Sequence, residues 1–266
     1  MKILFVGEIV GKLGRLTVGR VLPNLRRSAK ISVVFGNAEN LAHGKGVTTT
    51  TLAEVRNYGI DALTSGNHVF WRKEVFEIFE KDDSPLIRPA NYPDDVPGRG
   101  CRIIDLGKDG QVLLINLLGR TFFNEPVFCP FRTVDKILEE LTDEKFAAIV
   151  VDFHAEATSE QVAMGWYLDG RVTAVVGTHR HVPTADAWVL PQGTAFVTDI
   201  GMVGAQYSVL GVEPEIIIEK LKSPQPQKFE WVEEGPAVFN SVLIEVENGK
   251  AKSIERVDKV LDSEGR

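Results

Sequence analysis

Residues 147–154 read Ala-Ala-Ile-Val-Val-Asp-Phe-His, and residues 172–181 read Val-Thr-Ala-Val-Val-Gly-Thr-His-Arg-His. Both stretches are runs of apolar, largely β-branched residues that lead into histidine. Apolar runs of this kind are typical of strands that are covered on both faces. Five such runs occur in the sequence, over residues 3–6, 31–35, 61–64, 147–153 and 172–176. Because helical patterns lie between several of them, they predict βαβ units and an α/β fold.

Helix predictions come from periodicity and from signals at helix ends. Thr51-Leu-Ala-Glu54 and Thr158-Ser-Glu-Gln161 read as capping boxes, and Gly59 suits the end of the first of these helices. Three more helices are predicted over residues 15–29, 72–81 and 133–144. Pro23 should kink or divide the helix over 15–29, because proline lacks a backbone N–H and clashes with the preceding turn.

The pattern changes from about Asp186 onward, where apolar and polar residues begin to alternate. Alternating stretches cover residues 187–190, 194–197, 215–221, 228–232, 241–247 and 252–257. They predict a half-buried antiparallel sheet, linked by turns such as Asn248-Gly249. Two more strands within residues 102–118 meet at Asp109-Gly110, which is a hairpin signal. No linker separates these regions, so we expect residues 1–266 to form one domain with two packed sheets.

The composition excludes several classes of protein. The chain has 30 Lys and Arg against 37 Asp and Glu, a net charge of −7, which disfavours binding of polymeric nucleic acid. It has no apolar run long enough to span a membrane, and two cysteines are too few for a disulfide scaffold or a cysteine-rich zinc site. We therefore predict a cytoplasmic protein without a membrane partner. A small anionic substrate fits, because a bound metal ion supplies positive charge locally.

Polar residues follow each of the five apolar runs, where the predicted strands end. In an open α/β sheet the carboxyl ends of the strands line one crevice, and ligands bind there. The side chains that we expect on this rim are Glu8, Glu39, Asn40, Asn67, His68, His154, His179 and His181, which include four of the five histidines in the sequence. Gly7, Gly36, Gly66 and Gly177 precede them and favour tight turns or close backbone approach.

The residue types on this rim predict a metal site. If residues 179–181 are extended, His179 and His181 project to the same side with Cβ atoms roughly 6.5–7 Å apart, which suits two neighbouring metal ions. Imidazole, carboxylate and amide oxygen without thiolate favour Fe, Mn, Mg or Zn. Each residue alone has a simpler explanation, such as a hydrogen-bonded strand end for His154 or turn positions for Asn40 and Asn67. Their shared position favours metal binding instead.

The motifs around these residues resemble those of the calcineurin-like metallophosphoesterases, and specifically those of the bacterial YmdB-like branch. The motifs are Gly7-Glu8-Ile-Val-Gly11, Gly36-Asn-Ala-Glu39-Asn40, Gly66-Asn67-His68, Asp152-Phe-His154 and Gly177-Thr-His179-Arg-His181. They occur in the order that the family has, over nearly the whole chain. The resemblance implies a four-layer α/β/β/α sandwich, with two mixed central sheets flanked by helices.

The resemblance also implies a dinuclear site and a reaction. Glu39 is expected to bridge two divalent or mixed-valence ions, with iron or manganese favoured over magnesium or zinc. The other expected ligands are Glu8, Asn40 and His181 for one ion, and Asn67, His154 and His179 for the other. The implied reaction is hydrolysis of 2′,3′-cyclic nucleotides, and by extension 3′,5′-cyclic nucleotides, by a metal-bridging hydroxide. His68 would then be the acid that protonates the leaving group.

Two positions depart from the pattern of the family. Glu8 stands where Asp is usual, so its carboxylate reaches a metal only if the loop retreats or the metal shifts. Arg180 stands between the paired histidines where a small Thr is usual, and on an extended chain it points away from both imidazoles. Two other functions stay open, namely a general phosphomonoesterase and a regulatory metal-binding module with weak catalysis. We also expect a homo-oligomer.

Overall fold

Two β-sheets and six α-helices are formed by residues 1–263, which are the residues that the computed structural model describes. The larger sheet contains β1 (Lys2–Ile9), β2 (Val33–Asn37), β3 (Ala62–Thr64), β10 (Met202–Ala205), β11 (Ala237–Phe239), β12 (Ser241–Glu247), β13 (Lys250–Arg256) and β14 (Lys259–Leu261). The smaller sheet contains β4 (Cys101–Asp105), β5 (Gln111–Leu118), β6 (Ala148–His154), β7 (Ala174–Thr178), β8 (Trp188–Val189) and β9 (Ala195–Val197). The helices are α1 (Gly11–Ala29), α2 (Thr49–Asn57), α3 (Glu74–Phe79), α4 (Pro130–Glu140), α5 (Thr158–Leu168) and α6 (Pro214–Lys222).

The order of the layers follows from the alternation of side chains along β1. Ile3 and Phe5 lie in a core between the two sheets, together with residues of β5, β6 and β7. Leu4 and Val6 point to the opposite face and pack with residues of α1 and α2. A third core joins the outer face of the smaller sheet to α4 and α5. Both sheets are therefore buried on both faces, and the predicted helix–sheet–sheet–helix sandwich is confirmed.

All five apolar runs form strands, but the separate C-terminal sheet that the alternation predicted is wrong. β8 and β9 extend the smaller sheet, whereas β10 to β14 belong to the larger one. The central strand β1 explains this arrangement. It pairs with β2 along one edge and with β12 and β10 along the other. A buried strand needs hydrogen-bond partners on both edges, and the C-terminal half supplies those of the second edge.

Two predicted strands have a different structure. Residues 215–221 lie within the helix α6, which has Pro214 at its first position and ends at Lys222. Proline at the first position and lysines in the last turn favour a helix, and these end signals outweigh the β-branched run at residues 216–218. Residues 228–232 form no strand, and Trp231 makes an isolated bridge with Val212.

The helix ends also differ from the predictions. The capping box of α2 joins Thr48 to Thr51, three residues before the predicted box. α5 begins at Thr158 without a side-chain cap, because its N-cap residue is Ala157, whose side chain has no hydrogen-bond acceptor, and the predicted capping box at Thr158 is therefore wrong. Pro23 lies inside α1, which runs unbroken as one helix. The observed α3 and α4 are offset from or shorter than their predicted spans, as expected for boundaries inferred from periodicity.

Candidate metal centre

The eight predicted site residues lie in one connected cluster, but the cluster is built by two sheets. Glu8 lies near the end of β1, and the chain after β2 and β3 carries Glu39, Asn40, Asn67 and His68. The smaller sheet contributes His154 at the end of β6, and His179 and His181 directly after β7. The parallel strands of both sheets therefore end at the same edge of the sandwich. The sequence predicted that these residues share one edge, but by analogy with the crevice of a single open sheet.

Three glycines permit the close contacts at this edge. A Cβ on Gly66 would lie 2.1 Å from Glu39 Oε2 and 2.4 Å from His154 Nε2. A Cβ on Gly7 or on Gly177 would lie 1.8 Å from a carbonyl oxygen of the strand-end loop that precedes β10. At these three positions the prediction of close approach is correct. It is wrong for Gly36, where an added Cβ would meet its neighbours at ordinary contact distances of 3.4 Å or more.

One half of the cluster, which we call the histidine half, consists of Asn67, His154 and His179, with Glu39 shared between the halves. His154 Nε2 lies 3.2 Å from Glu39 Oε2, 3.0 Å from His179 Nδ1 and 3.3 Å from Asn67 Oδ1. Glu39, His154 and His179 each offer one ligand atom, and these atoms all lie within 4.8 Å of one another. Nitrogen lone pairs and carboxylate oxygens at such distances are the donor set of a borderline metal ion.

The outer nitrogens of the two imidazoles are occupied. His154 Nδ1 lies 2.8 Å from Thr178 Oγ1, and His179 Nε2 lies 2.8 Å from Glu156 Oε2. A carboxylate accepts hydrogen bonds only, so His179 carries its proton on Nε2 and directs Nδ1 into the cluster. His154 faces inward through Nε2. Partners of this kind orient the histidine ligands of metal sites and set which nitrogen is free.

The other half, the carboxylate half, consists of Glu8, Asn40 and His181. Asn40 Nδ2 lies 3.0 Å from His181 Nε2, and Glu8 Oε1 accepts a hydrogen bond from the backbone N–H of His179. Glu8 Oε2 and His181 Nδ1 are buried and have no hydrogen-bond partner among the described residues. A buried carboxylate oxygen without a donor is unfavourable. This half therefore fits a cation, which would satisfy the unpartnered oxygen.

The protonation behaviour of the cluster is set by burial and by its own charges. Burial raises the pKa of Glu8 well above its ordinary value, and the negative charges of Asp199 and Glu39 add to the rise. Burial acts in the same direction on Glu39, but the charge and hydrogen bond of His154, together with smaller contributions from the other histidines of the cluster, outweigh it and lower the pKa of Glu39. Burial lowers the pKa of His179 and of His181 to about 4. Both imidazoles are thus neutral near pH 7, which is the form that binds metal.

His68 lies at the mouth of the cluster. Its Nδ1 is 3.2 Å from Asn40 Oδ1 and 3.5 Å from Glu39 Oε1, and its side chain is 23% exposed. Burial lowers the pKa of His68, although the charge of Glu39 opposes this change. The ring also meets Trp71 edge-on, with ring centroids 6.0 Å apart.

The segment that carries the paired histidines is not extended. His179 and His181 both have positive φ values, 114° and 63°, so the prediction of an extended segment is wrong although both side chains reach the cluster. The turn is held by Asp199, whose carboxylate accepts a hydrogen bond from the backbone N–H of Arg180. The guanidinium of Arg180 donates to Thr158 Oγ1 at 2.7 Å, at the start of α5.

Several residues that support the cluster were not singled out by the sequence. Glu156 orients His179, and Asp152 is linked to His154 through the hydroxyl of Thr178. Phe123 packs against the rings of both histidines, with centroids 6.3 and 4.8 Å away. The available signal is that Asp152 and Glu156 flank His154 at a spacing of two, which places Asp152 on the same face of β6.

A two-sheet sandwich whose strands end in Glu, Asn and His side chains has the architecture of a metallophosphoesterase. The chain belongs to the YmdB-like protein family, whose model matches residues 4–257. It is 44% identical, over 97% of its own length and 96% of the relative, to the 2′,3′-cyclic-nucleotide 2′-phosphodiesterase of Bacillus subtilis (strain 168). The resemblance predicted from the motifs is therefore confirmed.

Solved structures agree with this family. A hypothetical protein of Thermus thermophilus has a TM-score of 0.91 and 38% identity, with 99% of this chain and 100% of that chain covered. A phosphatase of Mycoplasma pneumoniae has a TM-score of 0.90 and 32% identity, with coverages of 99% and 94%. The overall arrangement of sheets and helices is thus shared with a protein named as a phosphatase.

Proposed function

We propose that the protein is a metal-dependent phosphodiesterase that hydrolyses cyclic nucleotides, with 2′,3′-cyclic nucleotides as its main substrates and 3′,5′-cyclic nucleotides as further ones. The observation that carries this proposal is the convergence of Glu39, His154 and His179 beside a buried, unpartnered oxygen of Glu8. The name of the Bacillus subtilis relative supports the choice of substrate.

We further propose two metal ions, with iron or manganese favoured and magnesium or zinc as alternatives. Glu39 would be shared between the two ions. The remaining ligands would be Asn67, His154 and His179 for one ion, and Glu8, Asn40 and His181 for the other. When bound, such ions supply Lewis acidity toward a phosphate ester and lower the pKa of water.

His68 is the residue that we assign to proton transfer. Its Nδ1 is engaged by Asn40 and Glu39, so Nε2 is the nitrogen that remains to deliver a proton to the leaving oxygen. A lowered pKa makes the protonated ring a stronger acid. The position of His68 at the mouth of the cluster fits contact with a leaving group rather than burial among the ligands.

An exposed aromatic ring beside His68 favours a nucleotide over a simple phosphomonoester. Trp71 is 61% exposed although its ring lies only 6.0 Å from that of His68. Aromatic side chains bind nucleobases by stacking, and an exposed indole at the mouth offers such a surface. We expect Trp71→Ala to raise KM for 2′,3′-cyclic AMP and to leave KM for p-nitrophenyl phosphate within about twofold. Trp166→Ala removes a similarly exposed indole on α5 and serves as the control.

The test of the function uses protein stripped of metal and reloaded with Mn²⁺ or Fe²⁺. We expect turnover of 2′,3′-cyclic AMP to exceed turnover of 3′,5′-cyclic AMP and of p-nitrophenyl phosphate. Preference for the monoester would assign a general phosphomonoesterase instead. Metal binding without turnover of any of the three would assign a regulatory metal-binding module.

Organisation, assembly and location stay predictions. We propose that the chain acts as one domain, because each sheet contains strands from both halves of the sequence. We propose a homo-oligomer, since β13 and β14 from the C-terminal half are outer strands of the larger sheet. Within residues 1–263 no helix has the length and apolar character of a membrane span. We propose a cytoplasmic location because the two cysteines of the chain are too few for the disulfide scaffold that is typical of small secreted domains.

A further inference from the structure

Asp152 is a fully buried carboxylate on β6 that none of the steps above uses. It accepts three hydrogen bonds from side chains: from Asn37 Nδ2 at 3.1 Å, from Thr178 Oγ1 at 2.7 Å, and from the hydroxyl of Thr64. Asn37 and Thr64 belong to the larger sheet, whereas Asp152 and Thr178 belong to the smaller one. The carboxylate therefore joins the two sheets directly beneath the candidate metal centre.

The first branch of this network leads to His154. A threonine hydroxyl has one proton, and Thr178 donates it to Asp152 Oδ1 because an ionised carboxylate can only accept. Thr178 Oγ1 is left as an acceptor toward His154 Nδ1, 2.8 Å away. Nδ1 must then carry the proton. In the neutral ring, His154 Nε2, which faces Glu39 and His179, is thereby the nitrogen available as a ligand.

The second branch leads to Glu39. Asn37 donates to Asp152 through Nδ2, so its Oδ1 is free to accept the backbone N–H of Glu39 at 3.1 Å. Asn37 Nδ2 also lies 3.2 Å from the carbonyl oxygen of Ser65, two residues before Asn67. The carboxylate of Asp152 thus orients the side-chain amide of Asn37. This amide in turn contacts the backbone of Glu39 and the segment before Asn67, which are two other candidate ligands.

We propose that Asp152 is a positioning residue for the metal centre: through Thr178 it fixes the tautomer of His154, and through Asn37 it fixes the position of Glu39. The proposal rests on the proposed function in needing His154 as a metal ligand. According to this proposal, one buried carboxylate aligns candidate ligands from both sheets.

Three substitutions separate this role from a general loss of packing. Thr178→Val removes the hydroxyl that faces His154, and Thr178→Ser keeps it. Thr64→Val removes a hydroxyl that also donates to Asp152 but does not touch the imidazole, so it is the matched control for Thr178→Val. Asp152→Asn replaces an acceptor by a donor, which either reverses the Thr178 hydrogen bond or opposes the amide of Asn37.

The first measurement is binding of Mn²⁺ to metal-stripped protein by titration calorimetry. We expect Thr178→Val and Asp152→Asn to weaken binding about 10–100-fold, as is usual when a partner of a histidine ligand is removed. Thr178→Ser and Thr64→Val should stay within about threefold of wild type. Equal losses in Thr64→Val and Thr178→Val, or no loss in either, would overturn the proposal.

The second measurement reads the tautomer itself and needs no metal. Nitrogen-15 NMR of the imidazoles in metal-stripped protein at alkaline pH should show His154 protonated on Nδ1 in wild type, Thr178→Ser and Thr64→Val. It should show the Nε2 tautomer gaining population in Thr178→Val and in Asp152→Asn. An unchanged tautomer in both would overturn the proposal. If wild-type protein bound no Mn²⁺, the proposed function would fail, but the NMR measurement would still test whether Asp152 and Thr178 fix the tautomer of His154. Circular dichroism confirms that each variant is folded.

Discussion

The two halves of the candidate metal centre are built differently. In the histidine half, the outer nitrogens of His154 and His179 each face an oxygen of a neighbouring side chain, at 2.8 Å. In the carboxylate half, Glu8 Oε2 and His181 Nδ1 have no partner among residues 1–263. The first half is held in position by the protein, whereas the second contains buried polar atoms that lack a hydrogen-bond partner among the described residues.

The two arrangements predict which half binds metal more tightly. Orienting a ligand before the ion arrives removes the cost of ordering it later, so the histidine half should have the higher affinity. The carboxylate half should gain more in stability when an ion binds, because the ion then satisfies the buried, unpartnered oxygen of Glu8. Four variants are informative, beginning with the one that should lose most activity; His154→Ala and Glu8→Gln each alter one half of the cluster directly.

The largest effect is expected for His154→Ala, which removes the central ligand of the histidine half. We expect turnover of 2′,3′-cyclic AMP to fall about 10⁴-fold, since a metal ion contributes several kcal/mol to stabilising the transition state. Elemental analysis should show that one ion per chain is lost. Full metal content with this loss of turnover would contradict the ligand assignment.

His68→Ala should lower turnover about 10²–10³-fold, which is within the range for general acid catalysis, because proton delivery to the leaving oxygen is lost. Its metal content should equal that of wild type, in contrast to His154→Ala. His43→Ala removes an exposed histidine in the loop after Asn40 and is the matched control, with turnover unchanged. Normal turnover of His68→Ala would remove His68 from the mechanism.

Glu8→Gln should stabilise the protein after metal is stripped from it, and the gain should depend on pH. Glu8 has a folded-state pKa raised above its ordinary value of 4.5, so the folded state holds a proton that the unfolded state releases. The wild-type carboxyl therefore lowers the free energy of unfolding as pH rises above 4.5, until the folded-state pKa is passed.

Denaturant titrations from pH 4 to pH 8 should show Glu8→Gln and wild type alike at the acid end. At pH 8 the free energy of unfolding of Glu8→Gln should exceed that of wild type by about 1–3 kcal/mol. With saturating Mn²⁺, wild type should become more stable than Glu8→Gln, because glutamine binds the ion less well than glutamate does. A pH-independent difference would mean that Glu8 is not held as a buried, destabilising charge.

The smallest effect is expected for Arg180→Thr. The change removes the hydrogen bond to Thr158, while the backbone N–H can still donate to Asp199. We expect a loss of about 0.5–1 kcal/mol in the free energy of unfolding, with KM and metal affinity within about twofold of wild type. A tenfold rise in KM would instead place Arg180 in contact with the substrate phosphate.

Predictions from the sequence were correct where a residue type has a single physical consequence. Apolar runs as dense as residues 147–153 identify buried strands, and polar residues directly after them, such as His154, come together in the candidate metal centre. Alternation was a poor guide: residues 215–221 became α6, because the end signals at Pro214 and Lys222 were stronger than the β-branched run. Asp152 was not singled out as a functional residue, since its partners come from three other segments.

Local chemistry along the chain determined the α/β class, the family and the side chains that meet at the candidate metal centre. Pairing between distant segments decided the rest: which sheet each strand joins, the left-handed turn at His179, and the nitrogen that each imidazole turns inward. The physical reason is that a hydrogen bond has a direction that both partners set. Thr178 can face His154 as an acceptor only because Asp152 takes its proton, and that contact exists only in the folded chain.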